Sequence, residues 1–263
     1  MTCNVQDMYL ELLKAVLTNT LDSNEPVIDD GPLFIHRFTQ HYIKSNALTM
    51  VPLARMNNLQ QCAVDVIARK IAGDFIEAGV WRGGLTIFMR AVLEAYGESE
   101  RCVWVADSFE GLPVPDAEKY PREAAAHAGP VMTKSFDHFS CSLDQVKENF
   151  RKFHLLDDRV HFIKGWFKDT LAVAPIQRLA LIRLDGDYFD STMAGLVNLY
   201  PKLSPGGIFR VRRKAYKHGW SEAQYGKVFA KAGIPGLRCA SSRLHPLKRD
   251  QEAAVRSTKL FQQ

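Results

Sequence analysis

Two aspartates flank a glycine after one of the most apolar segments of the chain. Residues 179–184 (LALIRL) predict a buried strand, and Asp185-Gly186-Asp187 follows it directly. Two carboxylates on a glycine turn suit a hard cation with oxygen ligands, or proton transfer at a reacting group. An acidic turn that is simply exposed to solvent is the alternative. This pattern alone leaves both interpretations open.

A further acidic residue stands beside glycines at the end of an earlier apolar segment. Glu77-Ala78-Gly79 precedes the pair Gly83-Gly84. Glycines there let a ligand approach the backbone, and a helix that follows offers free N–H groups. The spacing GxxxGG differs from the GxGxxG fingerprint, which disfavours a nicotinamide-dependent oxidoreductase. An acidic residue two positions before the first glycine suits an ammonium group, and a tight strand-to-helix turn is the alternative.

Two other strand ends carry groups that suit a nucleoside. Asp107 closes segment 103–106, and a carboxylate there can accept hydrogen bonds from both hydroxyls of a ribose. Gly165-Trp166-Phe167 follows segment 160–163, and its rings are suited to flank an adenine. A solvated aspartate and ordinary core aromatics are the alternatives. Because ligands bind at the carboxyl ends of strands in open α/β sheets, the four strand ends together are a stronger signal than any one of them.

The segments that lead to these strand ends alternate between short apolar runs and helical patterns from residue 74 onward. Strands are predicted at 75–80, 103–106, 160–163, 179–184 and 208–211, helices at 86–95, 143–153 and 192–199, and a turn at 204–207. Such alternation predicts an α/β fold with a parallel, doubly wound sheet.

The N-terminal third is predicted to be helical. A first helix over 8–17 places five apolar residues on one face (Tyr9, Leu12, Leu13, Val16, Leu17). Asn57-Asn58 is predicted to cap a second helix that continues through Ile67.

Five blocks of the sequence, taken jointly, resemble the macrocin O-methyltransferase family. They are Asp74–Gly84 (DFIEAGVWRGG), Val103–Pro113 (VWVADSFEGLP), Gly165–Leu171 (GWFKDTL), Arg183–Asp187 (RLDGD) and Tyr200–Gly207 (YPKLSPGG), within a likeness that covers roughly residues 8–207. The resemblance implies a Rossmann-like class I methyltransferase fold with a helical N-terminal lid. It also implies S-adenosylmethionine as cofactor, a magnesium requirement, and methylation of a sugar hydroxyl on a macrolide or related natural product.

The resemblance also implies roles for single residues. Glu77 and Gly79 would border the methionine moiety, Asp107 with Ser108 would hold the ribose, and Trp166 and Phe167 would lie near the adenine. The cofactor-binding set predicted in this way is Glu77, Gly79, Trp81, Asp107, Ser108, Gly165, Trp166 and Phe167. Asp185 is the implied catalytic residue, a magnesium ligand that also orients the acceptor hydroxyl. Asp187 is a second candidate for the metal or the substrate.

The likeness stops shortly after Gly207. Counted from that glycine, Arg212 and Arg213 stand where the family has two aspartates that complete the metal site. A guanidinium cannot bind a cation. Residues 208–263 carry 13 Lys and Arg against 3 Asp and Glu, whereas residues 1–207 carry 21 against 26. A reading-frame change or a replaced terminus would explain both features. The last strands of the fold are then left without a clear sequence pattern.

Three regions follow from this interpretation: a helical N-terminal lid over 1–72, a Rossmann-like cofactor-binding domain over 73–211, and an atypical basic tail over 212–263. The alternative to an active enzyme is a catalytically impaired S-adenosylmethionine-binding homologue without a complete metal site. Among the histidines, the best candidates for a catalytic residue are His127 and His138, because both lie in the polar stretch expected to cover the cleft.

Composition limits the cellular setting and the partners. Five scattered cysteines without a CxxC pair argue against a disulfide framework, so a cytoplasmic protein is expected. No apolar run approaches the roughly 20 residues that span a bilayer. The basic cluster around Arg210 lacks interleaved stacking aromatics, which disfavours specific nucleic-acid binding. The expected partner is a small glycosylated natural product, and a homo-oligomer is compatible with the sequence.

Overall fold

The protein is built around one twisted sheet. Its structure, a computed structural model, describes residues 4–21, 46–129, 138–211 and 247–248. The strand order is β3-β2-β1-β4-β5-β6, with β1 at Asp74–Ala78, β2 at Val103–Asp107, β3 at Val160–Lys164, β4 at Leu179–Leu184, β5 at Leu203–Val211 and β6 at Leu247–Lys248. Strands β1 to β5 pair in parallel, and β6 pairs with β5 in antiparallel fashion.

Seven α-helices connect or precede these strands in the described ranges. They are α1 at Val5–Thr18, α2 at Leu53–Ala68, α3 at Gly84–Ala95, α4 at Pro121–His127, α5 at Leu143–Lys152, α6 at Phe167–Thr170 and α7 at Phe189–Leu199, and a 3-10 turn at Tyr200–Lys202 follows the last of them. Local capping fixes some of the ends. Ser142 and Gln145 form a capping box at the start of α5, and Asn4 accepts a hydrogen bond from the Asp7 amide at the start of α1.

The central strands are buried on both faces, as a parallel sheet covered by helices requires. All six residues of β4 are buried, and so are four of the five in β1. One apolar cluster includes buried residues of α1, α2, α3 and α5, and a second includes buried residues of α7 and the 3-10 turn. The fold is thus the α/β fold with a parallel, doubly wound sheet that the sequence predicts.

Three predicted details of the helices are wrong. In α1, Leu10, Leu13 and Leu17 are buried, whereas Tyr9 and Leu12 are exposed, so the buried stripe is rotated from the predicted face. Helix α2 starts at Leu53 after Pro52, which places the supposed capping residues Asn57-Asn58 inside it. Helix α7 starts at Phe189, three residues before the predicted 192, and the amide of this first residue donates a hydrogen bond to Glu123 of α4.

The last strands also differ from the prediction. The segment 204–207, predicted as a turn, lies within β5, and the register with β4 shifts there. The backbone of β6 pairs with Ile208 and Phe209 of β5, although the tail sequence indicates no strand. Most of the tail, including Arg212 and Arg213, lies outside the described residues. The boundaries of the three predicted regions therefore remain predictions.

No helix in the described ranges has both the length and the hydropathy that a membrane span requires.

Candidate active site

A cleft opens at the carboxyl edge of the sheet, where β1, β2, β3 and β4 end. Its volume is about 420 Å³, and it is lined by strand-end residues and by the segments that follow them, among them Gly79, Asp107, Ser108, Gly165, Trp166, Phe167, Asp185, Asp187 and Tyr188. A smaller recess of about 70 Å³ adjoins it and is lined by Glu77, Trp81 and Thr49 among others. Gly79, Asp107 and Asp185 line both spaces. The cleft and the recess together therefore contain every predicted cofactor-binding residue.

Gly79 is the point at which three strand ends meet. Its amide donates to the Ala106 carbonyl at 2.9 Å, and the amide of Asp185 donates to the Ala78 carbonyl at 2.8 Å. Gly79 has a φ of +93°, and a Cβ placed on it would lie 2.5 Å from the Asp185 carbonyl oxygen. Any side chain would therefore separate β1 from the turn after β4. This close approach brings the Glu77 strand and Asp185 together.

Asp107 organises the turns on both sides of it. Its Oδ2 accepts hydrogen bonds from the amides of Val80 at 2.7 Å and Trp81 at 3.4 Å. Its Oδ1 accepts from the amide of Phe109 at 2.9 Å and lies 3.3 Å from the hydroxyl oxygen of Ser108. Burial raises the pKa of Asp107, and these hydrogen bonds oppose that rise.

Ser108 and Gly165 shape the wall of the cleft through backbone contacts. The Ser108 hydroxyl donates to the Gly111 carbonyl at 2.8 Å, and its oxygen accepts from the Glu110 amide at 3.1 Å. The Gly165 amide donates to the Asp107 carbonyl at 2.9 Å, which places Trp166 and Phe167 beside the aspartate. Both aromatic residues are partly exposed and line the cleft, so their rings are accessible to a planar ligand.

Trp81 lies at the mouth of the small recess. Its indole N–H donates to the backbone carbonyl of His138 at 2.7 Å, and the Arg82 guanidinium lies 4.2 Å from the centre of its ring. The contact that ties His138 to this site is thus made by its backbone. The imidazole of His127 takes a different position, with Nδ1 2.6 Å from the Tyr188 hydroxyl. Neither histidine is placed here as a catalytic base.

An ion-pair chain connects the recess to the acidic turn. Arg183 of β4 stands opposite Glu77 of β1 in the register, and its Nη1 donates to Glu77 Oε1. Its Nη2 donates to Asp185 Oδ2 at 2.9 Å. All three side chains are at most 10% exposed. One guanidinium therefore holds two of the predicted functional carboxylates in fixed positions.

Glu77 keeps one oxygen available. Its Oε2 is buried and has no hydrogen-bond partner in the described part of the chain. Burial raises the pKa of Glu77 to about 7, while Arg183 lowers it and Asp185 raises it further. A buried carboxylate oxygen without a partner is costly. An ammonium group in the recess would satisfy it, which agrees with the chemistry expected from the sequence.

The described residues do not complete a magnesium site. Asp185 and Asp187 are close to each other, but Arg183 already donates to one oxygen of Asp185. Within the described ranges, no group of three or more His, Cys, Asp or Glu side chains is placed to hold a metal ion. The predicted replacement of metal ligands by Arg212 and Arg213 lies outside those ranges.

Sequence patterns missed Arg183 and Glu123. Arg183 could have been found, because it is a charged residue inside a predicted buried strand. Glu77, which was predicted, is likewise a charged residue inside the strand that pairs with it. Glu123 could not, since it lies in a polar stretch and reaches the site only through the fold. It is buried, and it accepts a hydrogen bond from the Phe189 amide at 3.0 Å.

The fold, with a cleft at the carboxyl edge of its sheet, is that of a Rossmann-like methyltransferase. The family model for macrocin O-methyltransferase (TylF) matches residues 34–216. The chain belongs to the macrocin O-methyltransferase family. It is an O-methyltransferase, and the family and the fold imply S-adenosylmethionine as the methyl donor.

Named relatives and a solved structure agree with this family. The chain is 48% identical over 215 residues to the 8-demethyl-8-(2,3-dimethoxy-alpha-L-rhamnosyl)-tetracenomycin-C 4'-O-methyltransferase of Streptomyces olivaceus, a match that covers 79% of this chain and 80% of that protein. It is 40% identical over 208 residues to the mycinamicin III 3''-O-methyltransferase of Micromonospora griseorubida, covering 77% and 81%. The structure of the O-methyltransferase NovP superposes with a TM-score of 0.72 at 36% identity, covering 87% and 92%.

Proposed function

We propose that the protein transfers a methyl group from S-adenosylmethionine to a sugar hydroxyl of a glycosylated natural product. One observation carries the proposal: Asp185 lies in the wall shared by the small recess and the large cleft. The recess offers Glu77 to the ammonium group of the cofactor. The large cleft offers Asp107 to the ribose, Trp166 and Phe167 to the adenine, and its remaining space to the acceptor.

The reaction requires positioning more than covalent chemistry by the protein. The acceptor oxygen attacks the methyl carbon, the carbon–sulfur bond breaks, and its electron pair stays on the sulfur of S-adenosylhomocysteine. The hydroxyl proton passes to the carboxylate of Asp185, which Arg183 holds at 2.9 Å. Holding the acceptor oxygen in line with the methyl carbon and the sulfur, beside this aspartate, supplies the main rate advantage.

The acceptor class follows from the relatives. The tetracenomycin enzyme is named for a rhamnosyl-bearing compound, and the mycinamicin enzyme is named for mycinamicin III. We therefore assign this chain a glycosylated antibiotic or a similar metabolite as acceptor.

The test is methyl transfer with and without the proposed base. The protein is incubated with S-adenosylmethionine that carries a deuterated methyl group and with the two acceptors named above, and mass spectrometry locates the label. Wild-type protein is expected to label a sugar hydroxyl. Asp185→Asn should lower kcat by about 100-fold or more, the usual weight of a general base. Asp158→Asn, an exposed aspartate before β3, is the matched control and should leave kcat unchanged.

Binding of S-adenosylhomocysteine without any methyl transfer would favour the alternative, an impaired homologue that keeps the cofactor pocket. Labelling outside the sugar would contradict the proposed acceptor group. Equal kcat values for the wild type and Asp185→Asn would contradict the role of Asp185.

A further inference from the structure

Helix α7 begins without a cap of its own. It follows the turn Asp185-Gly186-Asp187 after one residue, Tyr188, whose side chain makes no capping hydrogen bond. The first N–H groups of a helix have no partner within the helix. A carboxylate near such an end is favourable, because it accepts a hydrogen bond and carries the charge that the helix dipole prefers.

The cap comes from α4, a helix far away in sequence. Oε1 of Glu123 accepts from the Phe189 amide at 3.0 Å across 66 positions of the chain. The Glu123 residue is 3% exposed, so this contact is shielded from water. In the part of the chain that the structure describes, the hydrogen bond joins the middle of the insertion between β2 and α5 to the start of α7.

Two more contacts flank this cap, one from Tyr120, which directly precedes α4, and one from His127 at the end of that helix. The Tyr120 hydroxyl donates to Asp190 Oδ1 at 2.6 Å, and Nδ1 of His127 lies 2.6 Å from the Tyr188 hydroxyl. Positions 120, 123 and 127 have the spacing of one helical face. They meet the consecutive positions 188, 189 and 190.

The start of α7 in turn holds the acidic turn. The Thr192 hydroxyl donates to the Gly186 carbonyl at 3.1 Å. A Cβ on Gly186 would lie 2.9 Å from Ser191 Cβ, so the turn is packed directly on the first helical turn. On the other side, the Asp185 amide is bound to the Ala78 carbonyl at 2.8 Å. The turn is thus fixed between β1 and α7.

We propose that Glu123 is a positioning residue for methyl transfer: by capping α7 from α4, it fixes where the Asp185-Gly186-Asp187 turn stands in the cleft. The expected effect of Glu123 on turnover rests on the proposed function of the protein. Its structural part, the dependence of the turn on Glu123, does not depend on the acceptor.

The test compares three variants with the wild type. Glu123→Ala removes the cap, Glu123→Gln keeps an oxygen that accepts from the Phe189 amide, and Glu118→Ala removes an exposed glutamate near the same helix as a matched control. Glu123→Ala should lower kcat by about 10- to 100-fold, as expected when reacting groups are displaced. Its dissociation constant for S-adenosylhomocysteine should not change. Glu123→Gln should recover most of kcat, and Glu118→Ala should match the wild type.

Amide hydrogen exchange supplies a readout that does not need an acceptor. Peptides that cover residues 186–192 should exchange faster in Glu123→Ala than in Glu123→Gln, Glu118→Ala or the wild type. Tyr120→Phe, which removes a flanking hydrogen bond and keeps the ring, should give a smaller change of the same sign. This milder variant keeps the test decisive if Glu123→Ala does not fold.

Two results would overturn the inference. Unchanged exchange over residues 186–192 in Glu123→Ala would show that the turn does not depend on the cap. An equal rise of KM in Glu123→Ala and Glu123→Gln, with kcat unchanged, would show that Glu123 contacts the acceptor by its charge. If the wild type methylates none of the acceptors, the proposed function fails, and the exchange result alone decides this inference.

Discussion

At Glu77, burial and a neighbouring guanidinium act on the carboxyl in opposite directions. Burial dominates and raises its pKa from 4.5 to about 7. A carboxyl with a raised pKa in the folded chain takes up a proton on folding, so its stabilising contribution is full below the unfolded pKa and is lost as the pH rises through about 7. The difference between the two pKa values corresponds to about 3 kcal/mol.

Glu77→Gln should remove this pH dependence. Between about pH 4.5 and about pH 8, the free energy of unfolding of the wild type should fall by about 3 kcal/mol relative to that of the variant. Urea unfolding at several pH values measures both curves. Parallel curves would mean that the carboxyl keeps an ordinary pKa in the folded protein.

Asp107 offers a second prediction at the residue scale. Asp107→Asn keeps one acceptor oxygen for the adjacent turn amides and removes the charge. It should weaken the binding of S-adenosylhomocysteine by about 1–3 kcal/mol, the loss expected for charge-assisted hydrogen bonds to the ribose. Titration calorimetry measures the change, with Asp169→Asn, an exposed aspartate of α6, as control. Equal affinities for the variant and the wild type would remove Asp107 from the cofactor site.

At the scale of elements, α3 is tied to the segment before β3 by a buried cation. Arg90 is 2% exposed, and its guanidinium donates to Asp157 and, at 2.8 Å, to Glu94. Asp157→Ala leaves this charge without its main partner. The free energy of unfolding should fall by about 2–4 kcal/mol.

The neighbouring aspartate supplies the control for this prediction. Asp158 is exposed, and Asp158→Ala should change stability by less than about 0.5 kcal/mol. Urea unfolding of both variants gives the comparison. Similar losses in the two would show that Arg90 finds other partners.

Elements with a strong local signal were predictable, and elements set by distant contacts were not. Strands β1, β2, β3 and β4 are short apolar runs between turns, and the structure confirms them. The start of α7 is bonded to Glu123, which lies 66 positions away, and local patterns, which do not include this contact, place the start too late. The α1 face was misjudged because the burial of Leu10 depends on tertiary packing.

In the candidate site, too, some features were predictable from the sequence and others depend on distant contacts. The predicted residues gather at one edge because parallel strands end together, which the alternation of strands and helices already implies. The pairing of Arg183 with both Glu77 and Asp185 depends on the register between β1 and β4. That register is fixed by three-dimensional packing, so sequence patterns alone could not supply it.

At the scale of the whole molecule, the basic end of the chain leads to a prediction about metal binding. Suppose that Arg212 and Arg213 stand where the family has two aspartates. Each guanidinium then repels a cation at about 4 Å by about 4 kcal/mol for each unit of the cation's charge, at an effective dielectric of about 20. The wild type should therefore bind magnesium weakly. The double variant Arg212→Asp with Arg213→Asp should bind it more tightly, as measured by calorimetry. Tight binding by the wild type would contradict the assumed alignment.

The central claim is that Asp185 lies where the recess for the ammonium group of the cofactor meets the cleft for its nucleoside and for the acceptor. A crystal structure of the protein with S-adenosylhomocysteine tests this claim most directly. The account predicts the ammonium group at Glu77, the ribose at Asp107, the adenine beside Trp166 and Phe167, and the sulfur facing Asp185. Ligand density elsewhere on the protein, or an adenine in the recess beside Glu77, would contradict it.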